Sequence, residues 1–256
     1  MVTLKSKKDL EKMRRAGRVV GECHALVQAA IRPGITTGEL DRLVADHLRA
    51  RGARSPFLHY SPVGAPPFPG SIFTSVNEVI VHGIPGNRVL KEGDIISVDI
   101  GATLDGFVSD SAWTYGVGRI GERARRLLEV TEGCLWNALQ QARAGKRLGD
   151  ISHGIQDYAE ARGYGVVRKY TSHGVGRRLH EDPEIPNYGE PGRGLLLRPG
   201  MTMAIEPMIT EGRYDTRELD DGWTVVTKDG KLAAHFEHTI AITPEGEPDI
   251  MTLRPE

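Results

Sequence analysis

Apolar residues along the first third of the chain recur at helical spacing. Leu10, Met13, Val20, Leu26, Val27 and Ala30 share one face of a predicted long helix, with Ser6 placed to cap it. A second helix follows "RPGITTGEL", where Thr36 and Glu39 have capping-box spacing and Gly52 closes the far end. Residues 55–70 are rich in proline and glycine and read as a loop, after which short apolar runs predict strands. The pattern then returns: helices over about 122–144 and 150–162, followed by strands to the C-terminus.

The recurrence is visible in the letters. "RPGITTGELDRLVADHLRARG" (32–52) lies over "RAGKRLGDISHGIQDYAEARG" (143–163) without a gap. "LKEGDIISVDIG" (90–101) lies over "LRPGMTMAIEPM" (197–208), which sets Asp99 on Glu206. "VHGI" (81–84) lies over "SHGV" (172–175), which sets His82 on His173. Three matches in one order imply two related halves of helix, helix and strands, facing each other across a pseudo-twofold axis.

One hairpin breaks the apolar pattern. "ISVDIGATLDGFVSD" (96–110) carries Asp99 and Asp110 in otherwise apolar strands, with the turn signal "LDG" at 104–106. A two-residue loop of Asp105 and Gly106 pairs Leu104 with Phe107 and sets Asp99 opposite Ala112; a four-residue loop sets Asp99 opposite Asp110. Either even loop leaves both carboxylates on one face, because strand side chains alternate. Facing like charges destabilise a sheet, and no Lys or Arg lies between Thr103 and Tyr115 to offset them. A bound cation resolves the conflict better than a protonated acid.

The second half supplies partners for that cation. Glu206 ends the apolar strand "MTMAIEP", Glu237 lies in "AHFEHTIAIT", and His173 sits in the glycine-flanked "TSHGVG". Four carboxylates and one imidazole suit divalent Co, Mn, Fe or Zn, and four negative charges match two such ions. The remaining histidines His24, His47, His59, His153, His235 and His238 have the default reading of satisfied core or surface groups.

The totals exclude other classes. The 256 residues carry a formal net charge of -1, which gives no electrostatic basis for nucleic acid or an anionic membrane as partner. No apolar run approaches the ~20 residues of a membrane span, and the charged start of the chain lacks a signal-peptide core. Cys23 and Cys134 are too few for a disulfide framework and read as reduced core residues of a cytoplasmic protein.

At these residues the chain resembles the methionine aminopeptidases, in their short bacterial type I form. The likeness is carried by "NEVIVHGIP", "VDIGATLDGFVSDSA", "TSHGVGRRLHEDPEIPNYG", "MTMAIEPM" and "HFEHTIAIT". It implies the α/β "pita-bread" fold, in which antiparallel sheets of two pseudo-twofold-related halves are covered by helices. A single metallopeptidase domain would then span 1–256, with halves of roughly 1–118 and 119–256. By resemblance Asp99 chelates one metal ion, His173 and Glu206 hold the other, and Asp110 and Glu237 bridge the pair. The implied reaction removes the N-terminal methionine of nascent proteins whose second residue is small. Glu206 serves as general base, and His82 and His180 contact the substrate and stabilise the tetrahedral intermediate. Trp223 matches a pocket position of the family, and Tyr60, Phe68 and Phe73 are further candidates for the methionine slot. The resemblance also implies a monomer working on nascent chains, with transient ribosome contact.

The chain departs from the family at "HYSPVGAPPFPG" (59–70), which is longer and richer in proline than the usual stretch, and at Leu179, where the family often has an aromatic residue. The alternatives are a proline-specific aminopeptidase of the same fold, which usually carries a further N-terminal domain, and a non-catalytic peptide-binding relative, which would have lost metal ligands. Type II methionine enzymes need a helical insertion for which the stretch between Glu206 and Glu237 leaves no room.

Overall fold

A computed structural model describes residues 2–62 and 64–255. Helix α1 (Lys7–Ala30) is followed by α2 (Thr37–Ala50), then by strands β1 (Ile72–Val76), β2 (Val79–Val81), β3 (Ile95–Leu104) and β4 (Phe107–Gly116). The order recurs with α3 (Glu122–Gln141), α4 (Leu148–Glu160), β5 (Gly165–Val166), β6 (Thr171–Gly174), β7 (Glu181–Pro186) and β8 (Thr202–Ile205). Six short strands complete the chain: β9 (Met208–Thr210), β10 (Thr216–Glu218), β11 (Val225–Thr227), β12 (Ala233–His235), β13 (His238–Ala241) and β14 (Asp249–Ile250).

The first two helices begin where their sequence signals lie. Ser6 caps α1 in a reciprocal box with Asp9, and Thr36 caps α2 in the same way with Glu39. Helix α3 stops at Gln141, three residues before the expected end, because the chain turns at Ala142 toward Gly145 in the left-handed region. Helix α4 occupies 148–160, two residues earlier than expected at both ends.

The hairpin adopts the two-residue loop. Asp105 and Gly106 have φ of 51° and 77°, the left-handed pair that a tight hairpin turn demands. Leu104 pairs with Phe107 and Asp99 with Ala112, while Asp110 pairs with Gly101. The four-residue alternative, which would have set the aspartates opposite each other, is not formed.

Equivalent hydrogen bonds tie each helix pair to its own sheet. Gly34 N–H donates to the Leu90 carbonyl (2.8 Å), as Gly145 does to Leu197 (3.1 Å). Leu90 donates to Ile35 and Leu197 to Lys146, each at 2.8 Å, and the bridge Thr36–Val89 has its counterpart in Arg147–Leu196. Each half has its own core. One is built by Val20, Val27, Leu40, Val44, Ile96 and Val98, the other by Leu127, Leu135, Ile151, Met203, Ile205 and Ile240.

The halves join along β4 and the segment around β13. Glu237 N–H donates to the Ala112 carbonyl at 2.8 Å, Ser111 Oγ to the Glu237 carbonyl at 2.5 Å and Thr114 Oγ1 to the His235 carbonyl at 2.8 Å. This seam carries acidic side chains from both halves into one place. No helix among the described residues is long and apolar enough to cross a membrane.

Candidate active site

A cavity of about 500 Å³ opens at the seam, and Asp99, Asp110, His173, Glu206 and Glu237 all line it. Strand pairing sets their positions. Asp99 lies on β3 between Phe73 of β1 and Ala112 of β4, and Asp110 lies farther along β4. His173 pairs with Glu184 and Ala204, just before the β6–β7 bulge. Glu206 and Glu237 are the residues that follow β8 and precede β13.

Asp110 and the backbone of Glu206 are held from behind. The Thr239 hydroxyl accepts from Asp110 N–H at 3.0 Å and shares its proton between the Asp110 carbonyl at 2.8 Å and Oδ1 at 3.0 Å. Glu206 N–H donates to Ser172 Oγ at 2.9 Å, and Ser172 donates to Asn187 Oδ1 at 3.1 Å. Asn187 Nδ2 closes the loop on the Glu206 carbonyl at 2.9 Å. Ser172 and Asn187 are fully buried, so this support excludes water.

The ligating atoms themselves face one another. Single atoms of Asp110, His173 and Glu237 lie within 4.8 Å of one another. His173 Nδ1 is 2.9 Å from the Gly174 carbonyl, which requires the proton on Nδ1 and leaves Nε2 with a bare lone pair. That lone pair points at Glu206 Oε1 (3.4 Å) and Asp110 Oδ2 (3.8 Å), acceptor against acceptors. Asp99 Oδ1 is buried with no hydrogen-bond partner. Burial and mutual repulsion push the carboxyls of Asp99, Glu206 and Glu237 well above the usual carboxylate range, and burial raises Asp110 too. Burial lowers the His173 imidazole to about 4, so no imidazolium supplies the missing positive charge. A bare nitrogen, an orphaned oxygen and four crowded acids fit divalent cations in one donor set.

The sequence of metallopeptidase family M24 matches residues 11–244. The chain belongs to this family, among its methionine aminopeptidases. It is 53% identical over 252 residues to methionine aminopeptidase 1 of Bacillus subtilis, covering 98% of this chain and 99% of that protein. It is 49% identical over 253 residues to the methionine aminopeptidase of Clostridium perfringens, covering 99% of each. The crystal structure of the Thermotoga maritima methionine aminopeptidase superposes with a TM-score of 0.95 at 45% identity, covering 99% of this chain and 100% of the other. The fold alone extends further. The Xaa-Pro dipeptidase from Bacillus anthracis superposes with a TM-score of 0.77 at 21% identity, over 99% of this chain and 62% of that one. Membership of a metallopeptidase family implies divalent metal ions, which the donor set described above can accept. The architecture is accordingly the pita-bread fold, two pseudo-twofold-related halves with antiparallel sheets covered by helices.

Around the acidic floor stands an aromatic wall. Tyr60, Phe73, His82 and Trp223 line the cavity, with Leu179 and Met208 beside them. Phe68, expected on this wall, lies behind it. The residue is fully buried, with its ring 4.3 Å from Phe73 and 5.1 Å from Trp223, and it supports the wall without lining the cavity. The proline-rich loop has a definite task here, since Trp223 Nε1 donates to the Pro66 carbonyl at 2.9 Å. The indole thus spends its only donor on the loop and presents an apolar face to the cavity.

His82 and His180 both line the cavity. His82 has φ of 60°, left-handed and costly for a histidine. The next residue has to be glycine, because a Cβ on Gly83 would lie 2.1 Å from the Thr74 carbonyl oxygen. Burial lowers the His82 imidazole to about 4, so its ring is neutral at pH 7. His180 stacks edge-on against His173 with ring centroids 4.5 Å apart, and its Nδ1 is 3.1 Å from the Tyr60 hydroxyl.

His235 does not fit the default reading given to it. Its Nε2 is buried without a hydrogen bond, 3.4 Å from Glu206 Oε2. The signal for it was present in the sequence, because His235 and Glu237 are two apart in an extended run and so share a face. The repeat adds a second. Gly101 overlies Met208, and their strand partners are Asp110 and His235, so His235 takes the place of Asp110 in the second half.

Proposed function

We propose that the protein removes the N-terminal methionine from nascent polypeptides with a small second residue, using two divalent ions held by Asp99, Asp110, His173, Glu206 and Glu237. The single observation behind this reading is the bare His173 Nε2 facing carboxylate oxygens inside a buried acidic cluster. Four acids balance two doubly charged ions; cobalt, manganese, iron and zinc all suit the mixed oxygen and nitrogen donors. In our reading Asp99 serves one ion, His173 and Glu206 the other, and Asp110 and Glu237 both. When bound, such ions supply an activated water and polarise the scissile carbonyl.

The chain's own groups do the rest. Glu206 is fixed at its backbone by Ser172 and Asn187, so its carboxylate can take a proton from an attacking water and return it to the leaving amine. His82 and His180, which both line the cavity, would donate hydrogen bonds to the oxygen that becomes negative as the carbonyl carbon turns tetrahedral. The free α-amino group would bind near Asp99 and its ion, which restricts cleavage to the terminal residue. Tyr60, Phe73 and Trp223 form an unbranched apolar slot in which a thioether finds aromatic faces.

We further read the chain as one catalytic domain, 1–256 with halves of roughly 1–118 and 119–256, acting as a monomer in the cytoplasm and meeting its substrates at the ribosome. The test is release of methionine from Met-Ala-Ser before and after chelation. Release that stops with chelator and returns with cobalt or manganese is expected. Chelator-resistant release would remove the metal from the mechanism, and hydrolysis confined to Xaa-Pro peptides would assign the cavity to proline peptides.

A further inference from the structure

A second cavity of about 480 Å³ adjoins the first, and Tyr60, Arg178, Leu179 and His180 line both. The two differ sharply in charge. The catalytic cavity is lined by the four acids proposed to hold the ions and by Glu181, Asp182 and Glu184, with Lys169 and Arg178 as its cations. The adjoining groove carries Arg54, Arg177 and Arg178 and no carboxylate among its lining residues.

The groove's cations stand on fixed backbone. Arg54 exchanges both main-chain hydrogen bonds with Thr103, at 3.1 and 2.8 Å. Backbone N–H groups of Arg177 and Arg178 converge on Glu181 Oε1 at 2.7 and 3.1 Å. The Arg177 guanidinium lies over the Phe107 ring at 4.5 Å, and its one carboxylate neighbour, Asp9 Oδ1, is 3.8 Å away. Arg54, Arg177 and Arg178 are all exposed, so each can meet a ligand without first leaving a buried partner.

We propose that this groove receives the substrate beyond its second residue and favours acidic side chains there. The inference rests on the peptidase reading above, since a chain whose terminal residue lies in the acidic cavity must leave it past the rim. Tyr60 and His180, 3.1 Å apart from hydroxyl to Nδ1, line both cavities and so mark where they adjoin. Negative side chains a few residues along the substrate therefore match the three arginines of the groove. The interactions are exposed and screened, so they act on capture and hence on KM, leaving kcat unchanged.

The experiment compares kcat/KM of the metal-loaded enzyme on Met-Ala-Ser-Asp-Asp-Gly, Met-Ala-Ser-Asn-Asn-Gly and Met-Ala-Ser-Lys-Lys-Gly. At low salt the acidic peptide should exceed the neutral one by about three- to tenfold and the basic one should fall below it, a spread that collapses in about 0.5 M salt. In Arg54→Glu and in Arg177→Gln the acidic-to-neutral ratio, taken within each protein so that any general loss cancels, should fall toward one. Equal kcat/KM on all three peptides, or a preference that survives both substitutions, would overturn the proposal. Absence of release from every peptide, Met-Ala-Ser included, would instead overturn the peptidase reading and this inference with it.

Discussion

Thr239 lies outside the cavity lining, yet it is the strongest support behind the acidic cluster. Its hydroxyl accepts from Asp110 N–H at 3.0 Å, shares its proton between the Asp110 carbonyl (2.8 Å) and Oδ1 (3.0 Å), and is the one hydroxyl among the described residues that bonds that carboxylate. Thr239→Val keeps the shape and removes only that hydroxyl. Asp110 is 3% exposed, so water cannot replace the bond and the orphaned amide costs about 1–3 kcal/mol. For a chain of this length such a loss lowers Tm by roughly 2–12 °C. Metal binding should weaken as well, because the carboxylate loses the donor that orients it. Partners of this kind are worth about 10–100-fold in affinity. The assay is calorimetric titration of metal-free protein with manganese, alongside thermal melts. Thr239→Ser restores the hydroxyl and should recover most of both properties. Manganese affinity within twofold of wild type in the valine variant, or a serine variant equally impaired, would refute the reasoning.

Asp110→Asn should abolish methionine release while the protein remains folded, as a circular-dichroism melt would report, because an amide cannot supply the charge two ions share. Ser172→Ala strands the buried Glu206 N–H and should lower kcat by about tenfold with a smaller change in KM, measured on Met-Ala-Ser. His24 is buried between the Tyr115 hydroxyl and the Ser111 carbonyl, and burial lowers it from 6.5 to about 4. Its folded value is the lower one, so its contribution is complete above pH 6.5 and is lost as pH falls through 4. The loss is on the order of 3 kcal/mol, and His24→Gln should flatten urea-unfolding stability across that window. Burial pushes Cys23 and Cys134 up to about 12, so neither thiol should react with a disulfide reagent at pH 8 until denaturant is added.

Local chemistry made much of this molecule legible. Ser6 with Asp9 and Thr36 with Glu39 mark helix starts wherever they occur, and Asp105–Gly106 has few conformations besides the turn it makes. Those short-range constraints fixed the β3–β4 register and put Asp99 and Asp110 on one face. Long-range pairing was not readable. Strand β11 joins β2 across most of the chain, and nothing in "VIV" or "VVT" names the other as partner. Phe68 shows the same limit. Its aromatic character marks it as buried, but only the ring contacts decide whether it lines the cavity or backs it. His235 was readable in principle through alternation with Glu237, and the default for single histidines concealed it.

The central claim is that crowded acids from both halves exist to hold metal. Anomalous diffraction from crystals grown with manganese tests it most directly. The account expects two peaks within bonding distance of Asp110 and Glu237 oxygens, with His173 Nε2 bonded to one of the two ions and Asp99 to the other. Manganese-free density at those five residues in crystals of active, manganese-dependent protein would contradict it.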